Sequence, residues 1–266
     1  MPQKRKAVTP RQLRLVGFAL TLVLLAAARP VLAEEQTVKL TSLEWPPFSG
    51  AQLPGLGASA AVARAALGAA DTALEVEFYP WQRAVKTGLE TAGYAGYFPE
   101  YYSVELTEKC LFSEPAGASP LGFVERRDGP VTWNSLDDLA PVVIGTVNGY
   151  VNTEEFDKRV ADGRIKVESV VDDLTNIRKV ANHRIRLAVI DRNVLDYLLV
   201  SEPSVADVRA SLQFNARPLE VKKLYICFRK DAIGAAAKRR FDDGLGKIDV
   251  QAIMADALRL TTRGAP

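Results

Sequence analysis

Three stretches of the sequence carry residues that could hold a small charged or aromatic solute. In the first, "EWPPFSG" (44–50), a tryptophan and two adjacent prolines follow a β-like run over 37–42. Prolines fix φ and remove backbone donors, so this loop should keep one shape. Such a loop could present Trp45 and Phe48 to a cleft, or it could close the edge of a hydrophobic core.

The second stretch, "IGTVNGY" (144–150), leads from a buried-type strand into a turn, and we expect a helix from about Thr153. Backbone N–H groups at a helix start favour a carboxylate or another anion. The stretch is therefore a candidate anion site. It is equally well explained as an ordinary strand-to-helix turn in which Gly149 supplies a positive φ.

The third stretch, "RLAVIDRNVLDYL" (186–198), places Asp191 at the end of a hydrophobic strand and the start of a helix. An aspartate is a good N-cap, which requires no ligand. A carboxylate at the carboxyl end of a strand could also hold a ligand ammonium in a cleft. Both interpretations stay open at this stage.

Several other patterns argue against cofactor, metal and hydrolase chemistry. "GLGASA" (55–60) has dinucleotide-fingerprint spacing, but that motif must directly follow a strand and here a long loop intervenes. His183 is the only histidine, and no cysteine or carboxylate stands at metal-ligand spacing from it. No G-x-S-x-G nucleophile elbow is present. We expect no cofactor, no metal and no catalytic residue.

Strand-like and helix-like segments alternate along the chain, and the pattern starts twice. One set spans 37–113 and another spans 141 to about 200, and a strand (223–230) and two helices (234–248 and 250–260) follow. Strands that alternate with helices of this length predict parallel sheets in an α/β protein. The restart predicts two α/β lobes with a ligand cleft at the carboxyl ends of strands.

The first 33 residues have the features of a secretory signal peptide that is cut after Ala33. Basic residues precede a 14-residue apolar stretch (15–28), and the small-residue pattern "VLA" (31–33) follows it before the cut. An uncleaved anchor is the alternative, although a membrane-spanning helix needs about 20 residues.

Residues 1–33 hold six basic and no acidic residues, so 28 basic and 32 acidic residues remain and the net charge is −4. We therefore predict a periplasmic protein that does not bind nucleic acid.

Cys110 and Cys227 are the only cysteines of the chain. In an exported protein such a pair indicates a possible disulfide, provided that "KCLFS" and "LYICFRK" form neighbouring strands. Two separate buried thiols are the alternative, because free cysteine packs well as a small hydrophobe.

Taken together and in this order, several stretches resemble the periplasmic solute-binding proteins of family 3, the amino-acid-type receptors of ABC importers. The stretches are "EWPPFSG", "YPWQRAV", "CLFSEP", "DLAPVVIGTVNGY", "RLAVIDRNVLDYL" and "LYICFRKD", and they span essentially the whole chain after residue 33.

The resemblance implies an α/β, two-lobed periplasmic-binding-protein fold of type II, with two hinge strands and a cleft that closes on a ligand. Lobe 1 would comprise residues 34–115 and 220–266, and lobe 2 would comprise residues 116–219.

The resemblance also implies roles for particular residues. Trp45 and Trp81 would flank the ligand, where aromatic faces can sandwich an apolar group or attract an ammonium. Asn148 and Gly149 fall on the anion-holding turn of the family. Asp191 falls on the carboxylate that binds the amino group of the ligand.

One departure from the family pattern concerns the carboxylate of the ligand. The family's arginine lies six residues before the position of Phe112, where this chain has Leu106, and leucine cannot replace a guanidinium. Arg83, two residues after Trp81, is the best substitute. Tyr101 stands where the family usually has a small hydroxyl residue, and it is a further candidate ligand-binding residue.

These observations predict a monomeric periplasmic protein that captures a small polar solute, an amino acid or a related amine or acid, by hinge closure. It would deliver the solute to an ABC permease in the inner membrane. Two alternatives stay open. One is a prephenate- or arogenate-type dehydratase, with Glu44, Glu100 or Asp191 as general acid. The other is a ligand sensor with a degenerate pocket, which the absence of an arginine at position 106 favours.

Overall fold

The computed structural model describes residue 2 and residues 36–263. The predicted signal peptide and its alternative, a membrane anchor, lie outside these residues. Among the helices that the structure describes, none has both the length and the apolar character that a bilayer crossing requires.

The first half of the sheet is built around a central parallel strand, β1, which pairs with β2 on one side and β3 on the other. Helices α1 and α2 make the connections, as expected for parallel strands. The bounds are β1 (Gln36–Ser42), α1 (Ala58–Gly68), β2 (Thr72–Phe78), α2 (Trp81–Glu90), β3 (Gly96–Tyr101) and β4 (Cys110–Phe112). All six residues of β3 are buried, and α2 packs against this strand.

The second half of the sheet repeats this plan with β6 at its centre, parallel to β7 and β8. Its elements are β6 (Val143–Val147), α3 (Glu154–Ala161), β7 (Lys166–Val170), α4 (Asp173–Ala181), β8 (Leu187–Asp191), α5 (Arg192–Ser201) and the short β9 (Leu212–Phe214). The predicted restart of the alternating pattern is therefore present.

Two antiparallel ten-residue strands, β5 (Gly117–Arg126) and β10 (Glu220–Arg229), join the two halves. They pair with each other from Glu220 opposite Leu121 to Leu224 opposite Gly117. Beyond that crossing, β10 continues along β3 and β4, and β5 continues along β8 and β9. The strand order is β2-β1-β3-β10-β5-β8-β6-β7.

We call the half-sheet of β1–β4 with its helices the first lobe, and the half-sheet of β6–β9 with its helices the second lobe. The last two helices, α6 (Ala232–Leu245) and α7 (Val250–Arg263), both pack against α1 and so belong to the first lobe. The predicted lobe boundaries at 115/116 and 219/220 fall just before β5 and β10, and these boundaries stay predictions.

Cys110 on β4 and Cys227 on β10 are joined by a disulfide, with their Cα atoms 5.5 Å apart and 117 positions apart in sequence. The two strands are antiparallel neighbours, as the sequence argument required. Of the two possibilities left open by the sequence, the structure has the disulfide rather than two free thiols.

Candidate ligand-binding cleft

The proline-stiffened loop after β1 performs both of the roles that its sequence suggested. Phe48 is fully buried and stacks on Trp45, with ring centroids 4.9 Å apart, so Phe48 closes the core. Trp45 lines a cavity between the lobes. Its indole Nε1 donates a hydrogen bond to Asp173 Oδ2 at 3.1 Å. Because Asp173 opens α4 in the second lobe, this bond ties the two lobes together.

Trp81 makes a second connection between the lobes. It is the first residue of α2, directly after Pro80, and its Nε1 donates a hydrogen bond to the carbonyl oxygen of Gly149 at 2.9 Å. Gly149 has a φ of +77°, as expected for a tight turn after β6. The carbonyl of the turn therefore faces the first lobe as an acceptor.

Both tryptophans contact the ring of Tyr150 edge to face, at centroid distances of 6.5 Å for Trp45 and 5.8 Å for Trp81. The aromatic surface predicted to flank a ligand is thus in contact with a side chain of the protein itself. The cavity left between the lobes measures about 30 Å³. Sites for small organic ligands are about ten times larger or more. The cavity is lined by Leu43, Trp45, Trp81, Pro99, Glu100, Tyr101, Tyr150, Val151 and Leu224.

Asp191 is both an N-cap and a cleft residue. It ends β8 and caps α5, and its Oδ1 accepts from the backbone N–H of Asn193 at 2.8 Å and from the hydroxyl of Ser119 at 2.8 Å. Its Oδ2 accepts from the hydroxyl of Tyr101 at 2.9 Å. Burial raises the pKa of Asp191 to about 6, and the bonds from Ser119 and Tyr101 oppose that rise.

Two further buried carboxyl groups lie beside the cavity. Glu100 accepts from the hydroxyl of Tyr97 at 2.9 Å and from the backbone N–H of Tyr101 at 2.8 Å. Burial raises the pKa of Glu100 to about 7. Burial likewise raises the pKa of Asp173 to about 7, against the opposing effect of the bond from Trp45. The cleft therefore concentrates carboxyl groups that hold their protons more tightly than usual.

A larger groove of about 860 Å³ adjoins the cavity, and Tyr150 and Val151 line both spaces. The segment after β3, helix α3 and the first half of β10 form its walls. The lining side chains are aromatic, apolar and charged, and include Tyr102, Val104, Glu105, Glu154, Asp157, Lys158, Glu220, Lys222, Lys223 and Tyr225.

The structure places Arg83 away from both spaces. It is exposed on α2, and its guanidinium carbon lies 4.7 Å from the ring centroid of Tyr79. Leu106 is half-buried in a 3₁₀ turn (Glu105–Glu108). The role of Arg83 as a ligand-binding residue stays a prediction.

The predicted anion turn differs from its expected form. Asn148 is exposed, and its backbone N–H donates to Val170 O at 2.8 Å. Helix α3 begins only at Glu154, and three acidic residues already occupy its first turn, including Asp157. The negative charges of these residues compensate the positive end of the helix dipole, which would otherwise favour a bound anion. Binding of an anion by Asn148 and Gly149 stays a prediction.

Sequence reasoning missed Tyr150, Asp173 and Lys222 as residues of the cleft. The stretch "DD" at 172–173 held a signal, since Asp172 caps α4 through Thr175 N and leaves Asp173 without a capping role. Lys222 also had a signal, because it alternates with Leu224 on the buried face of β10. Within the described residues, no cluster of histidine, cysteine and carboxylate side chains could hold a metal ion.

No family model and no curated protein matches the sequence. Solved structures do match. A histidine kinase sensor domain with similarity to periplasmic binding proteins is 17% identical, with 84% of this chain and 96% of that chain covered and a TM-score of 0.71. An amino acid ABC transporter substrate-binding protein from Streptococcus pneumoniae, bound to L-arginine, is 14% identical over 84% of this chain and 96% of that chain, with a TM-score of 0.67.

A third match is an ancestral amino-acid-binding protein, a precursor of cyclohexadienyl dehydratase. It is 15% identical, with 85% of this chain and 95% of that chain covered and a TM-score of 0.65. At such identities the matches establish the fold, and they confirm the fold predicted from the sequence. The chain has the two-lobed, type II periplasmic-binding-protein fold.

Proposed function

We propose that this protein captures a small polar solute, an amino acid or a related amine or acid, between its two lobes in the periplasm. One observation carries the proposal. Trp45, Trp81, Tyr101 and Asp191 come from four separate segments and meet at a single junction between the lobes. Trp45 and Asp191 follow or end parallel strands, which is where α/β proteins bind ligands.

Capture requires the lobes to separate around β5 and β10 and then to close. A solute that enters between the tryptophans must displace Tyr150 and break the hydrogen bonds that connect the lobes. These are the bonds from Trp45 to Asp173, Trp81 to Gly149 and Tyr101 to Asp191. The solute would then supply replacement contacts. Because the protein makes these contacts by itself, the apparent affinity equals the affinity of the open form multiplied by the fraction of molecules that are open.

Delivery to an ABC permease by the monomeric protein completes this proposal. A ligand sensor is the alternative function that differs least from this proposal, because sensing also begins with capture of the solute. A thermal-shift screen of the purified protein against amino acids, amines, organic acids and aromatic acids tests capture. Ligand at 100 times its dissociation constant should raise the free energy of unfolding by about 2.7 kcal/mol.

Calorimetry on Asp191→Asn then tests the site. Asparagine caps helices as well as aspartate does, so α5 should persist. Affinity for an amine-bearing solute should fall at least tenfold, because the loss of one charged partner removes a charge-assisted bond. Asp196→Asn, on the exposed side of α5, is the matched control. Unchanged affinity in Asp191→Asn would exclude Asp191 as the group that binds the amine.

A dehydratase is the second candidate function, and Glu100 is the observation that favours it. This carboxyl group lines the cavity and its pKa is raised to about 7, so near neutral pH it could donate a proton to a leaving group. We expect no turnover of prephenate or arogenate at enzyme-like rates of about 1 per second or more. Turnover that disappears in Glu100→Gln would establish the dehydratase instead.

A further inference from the structure

Lys222 has a largely buried side chain, and its ammonium, at the wall of the groove, has no hydrogen-bond acceptor among the described residues. Its side chain is only 7% exposed, although it is a lysine on a strand between the two lobes. The nearest carboxylate oxygen, Glu220 Oε1, lies 3.9 Å from Nζ, beyond hydrogen-bond distance. Within the described part of the chain, no other group accepts a hydrogen bond from this ammonium. An ammonium held by a largely buried stem and left without a protein acceptor must find its acceptors, water or a solute, in the groove.

The acidic groups around Lys222 are already engaged. Glu100 accepts from Tyr97 and from the backbone of Tyr101. Asp157 accepts from the backbone and the side-chain amide of Asn152, at 2.9 and 2.7 Å. The remaining neighbour, Glu220, has a half-exposed side chain that water can solvate. The charge of Lys222 acts on Glu100 and Asp157 and opposes the rise in the pKa of each, but none of these carboxylates accepts a hydrogen bond from its Nζ.

The groove of about 860 Å³ is the space from which such an acceptor could come. Lys222 lines it, and its ammonium lies 5.5 Å from the ring centroid of Tyr101, so the aromatic ring bounds the charge on one side. Tyr102, Tyr150 and Tyr225 add aromatic walls. The volume falls within the range of small-molecule sites, which is about 300–1,000 Å³.

We propose that Lys222 is the anion-binding residue of the cleft, and that the captured solute carries a carboxylate or phosphate group that pairs with Lys222 in the groove. This inference rests on the proposed function and names the chemical class of its solute. The positive charge then comes from β10, which joins the lobes, because the 3₁₀ turn at Glu105–Glu108 has Leu106 and no cationic side chain. A lysine acts as a point charge and accepts either kind of anion.

Matched probes distinguish the classes of solute. We would measure binding by calorimetry with phenylacetate, phenyl phosphate, neutral phenylacetamide and cationic 2-phenylethylamine, whose rings suit the tyrosine walls. Phenylacetate or phenyl phosphate should bind, and the neutral and cationic probes should bind at least tenfold more weakly. Comparison of the two anions shows whether the groove selects carboxylate or phosphate.

Variants then assign the charge to a residue. Lys222→Met should lower the affinity for the anionic probe by about 30-fold to several thousandfold, as for loss of a buried charged contact. Lys222→Arg should keep most of the affinity. Lys86→Met, on the exposed surface of α2 and outside the groove lining, is the matched control. Arg83→Met tests the rival residue. Thermal unfolding of each variant checks that it is folded.

Undiminished anion binding in Lys222→Met would overturn the inference, and so would a loss of binding in Arg83→Met alone. Preference for the amine or the amide would also overturn it, while leaving solute capture intact. If neither these probes nor the broader screen yields any ligand, the proposed function itself fails and the inference fails with it. If Lys222→Met does not fold, Lys222→Arg and the preference among the four probes decide the question.

Discussion

The hydroxyl of Tyr101 donates a hydrogen bond to Asp191 across the cleft, although 90 positions separate the two residues in sequence. Tyr101 ends β3 in the first lobe, and Asp191 ends β8 in the second lobe. The acceptor that would hold a ligand ammonium is therefore already shared with a side chain of the protein. This bond both stabilises the contact between the lobes and competes with a solute for Asp191.

Tyr101→Phe should loosen that contact. The change removes one hydrogen bond to a buried carboxyl group, so the free energy of unfolding should fall by about 1–3 kcal/mol in urea denaturation. The same variant should bind an amine-bearing solute more tightly, since Asp191 is freed. Tyr102→Phe is the matched control, because Tyr102 is 45% exposed and its hydroxyl makes no hydrogen bond among the described residues. Equal stability of the two variants would contradict this role of Tyr101.

Tyr150→Ala should open the space beside the two tryptophans. Acrylamide should then quench tryptophan fluorescence more strongly than in the wild type, because both indoles lose an aromatic neighbour. Affinity for a solute that enters between them should rise as the internal competitor disappears. Tyr150→Phe keeps the ring and should resemble the wild type in quenching. If acrylamide quenches the fluorescence of Tyr150→Ala no more than that of Tyr150→Phe, the ring of Tyr150 does not shield the tryptophans.

The buried carboxyl groups predict an unusual dependence of stability on pH. Burial raises the pKa of Asp173 from 3.8 to about 7, so the folded state binds more protons than the unfolded state between these values. The contribution of Asp173 to stability is therefore full below about pH 4 and is lost as the pH rises through about 7. Asp173→Asn should raise the free energy of unfolding at pH 8 relative to the wild type and change it less at pH 4.

Urea denaturation of both proteins at several pH values measures this difference. The asparagine oxygen can still accept from Trp45, which separates loss of charge from loss of the hydrogen bond. A gap between the two proteins that narrows toward pH 8 would show that the carboxylate of Asp173 is not destabilised by burial.

Removal of the disulfide should lower stability substantially. The bond joins residues 117 positions apart, and loss of such a native bond typically costs about 2–5 kcal/mol. Cys110→Ala, Cys227→Ala and the double variant should therefore show similar losses in guanidinium denaturation. If the double variant is as stable as the wild type, the link contributes nothing to the folded state.

Local patterns were sufficient to predict most of the fold. The alternation of strands and helices, the restart near residue 141 and the capping role of Asp191 all depend on neighbours in sequence. The stretch "LGFVERR" (121–127) is strand-like in sequence, but the start of β5 was missed because "GASP" (117–120) contains glycine and proline, which usually mark a loop. Its pairing with β10 is formed between residues about a hundred positions apart, and no local pattern reports such a pairing.

The cleft was less predictable for the same reason. The predicted strand begins at residue 223, one position after Lys222, and lysines are almost never fully buried. The place of Lys222 on the buried face of β10 was therefore missed. The contact of Tyr150 with both tryptophans requires the two lobes to meet, and it leaves no trace in any single segment. Sequence could name the residue types that line the cleft, but not which of them contact each other.

The disulfide also has a mechanical meaning. Cys227 lies in the half of β10 that runs along β3 and β4, and the register of β10 against β3 shifts between Tyr225 and Cys227. The disulfide fixes that half of β10 covalently to β4 in the first lobe. In the lobe movement that the proposed capture requires, bending would fall on the remaining span, residues 220–224 and their partners 117–121 on β5. The proposed hinge would thus be a short length of two strands, and Lys222 lies within it, opposite Ser119.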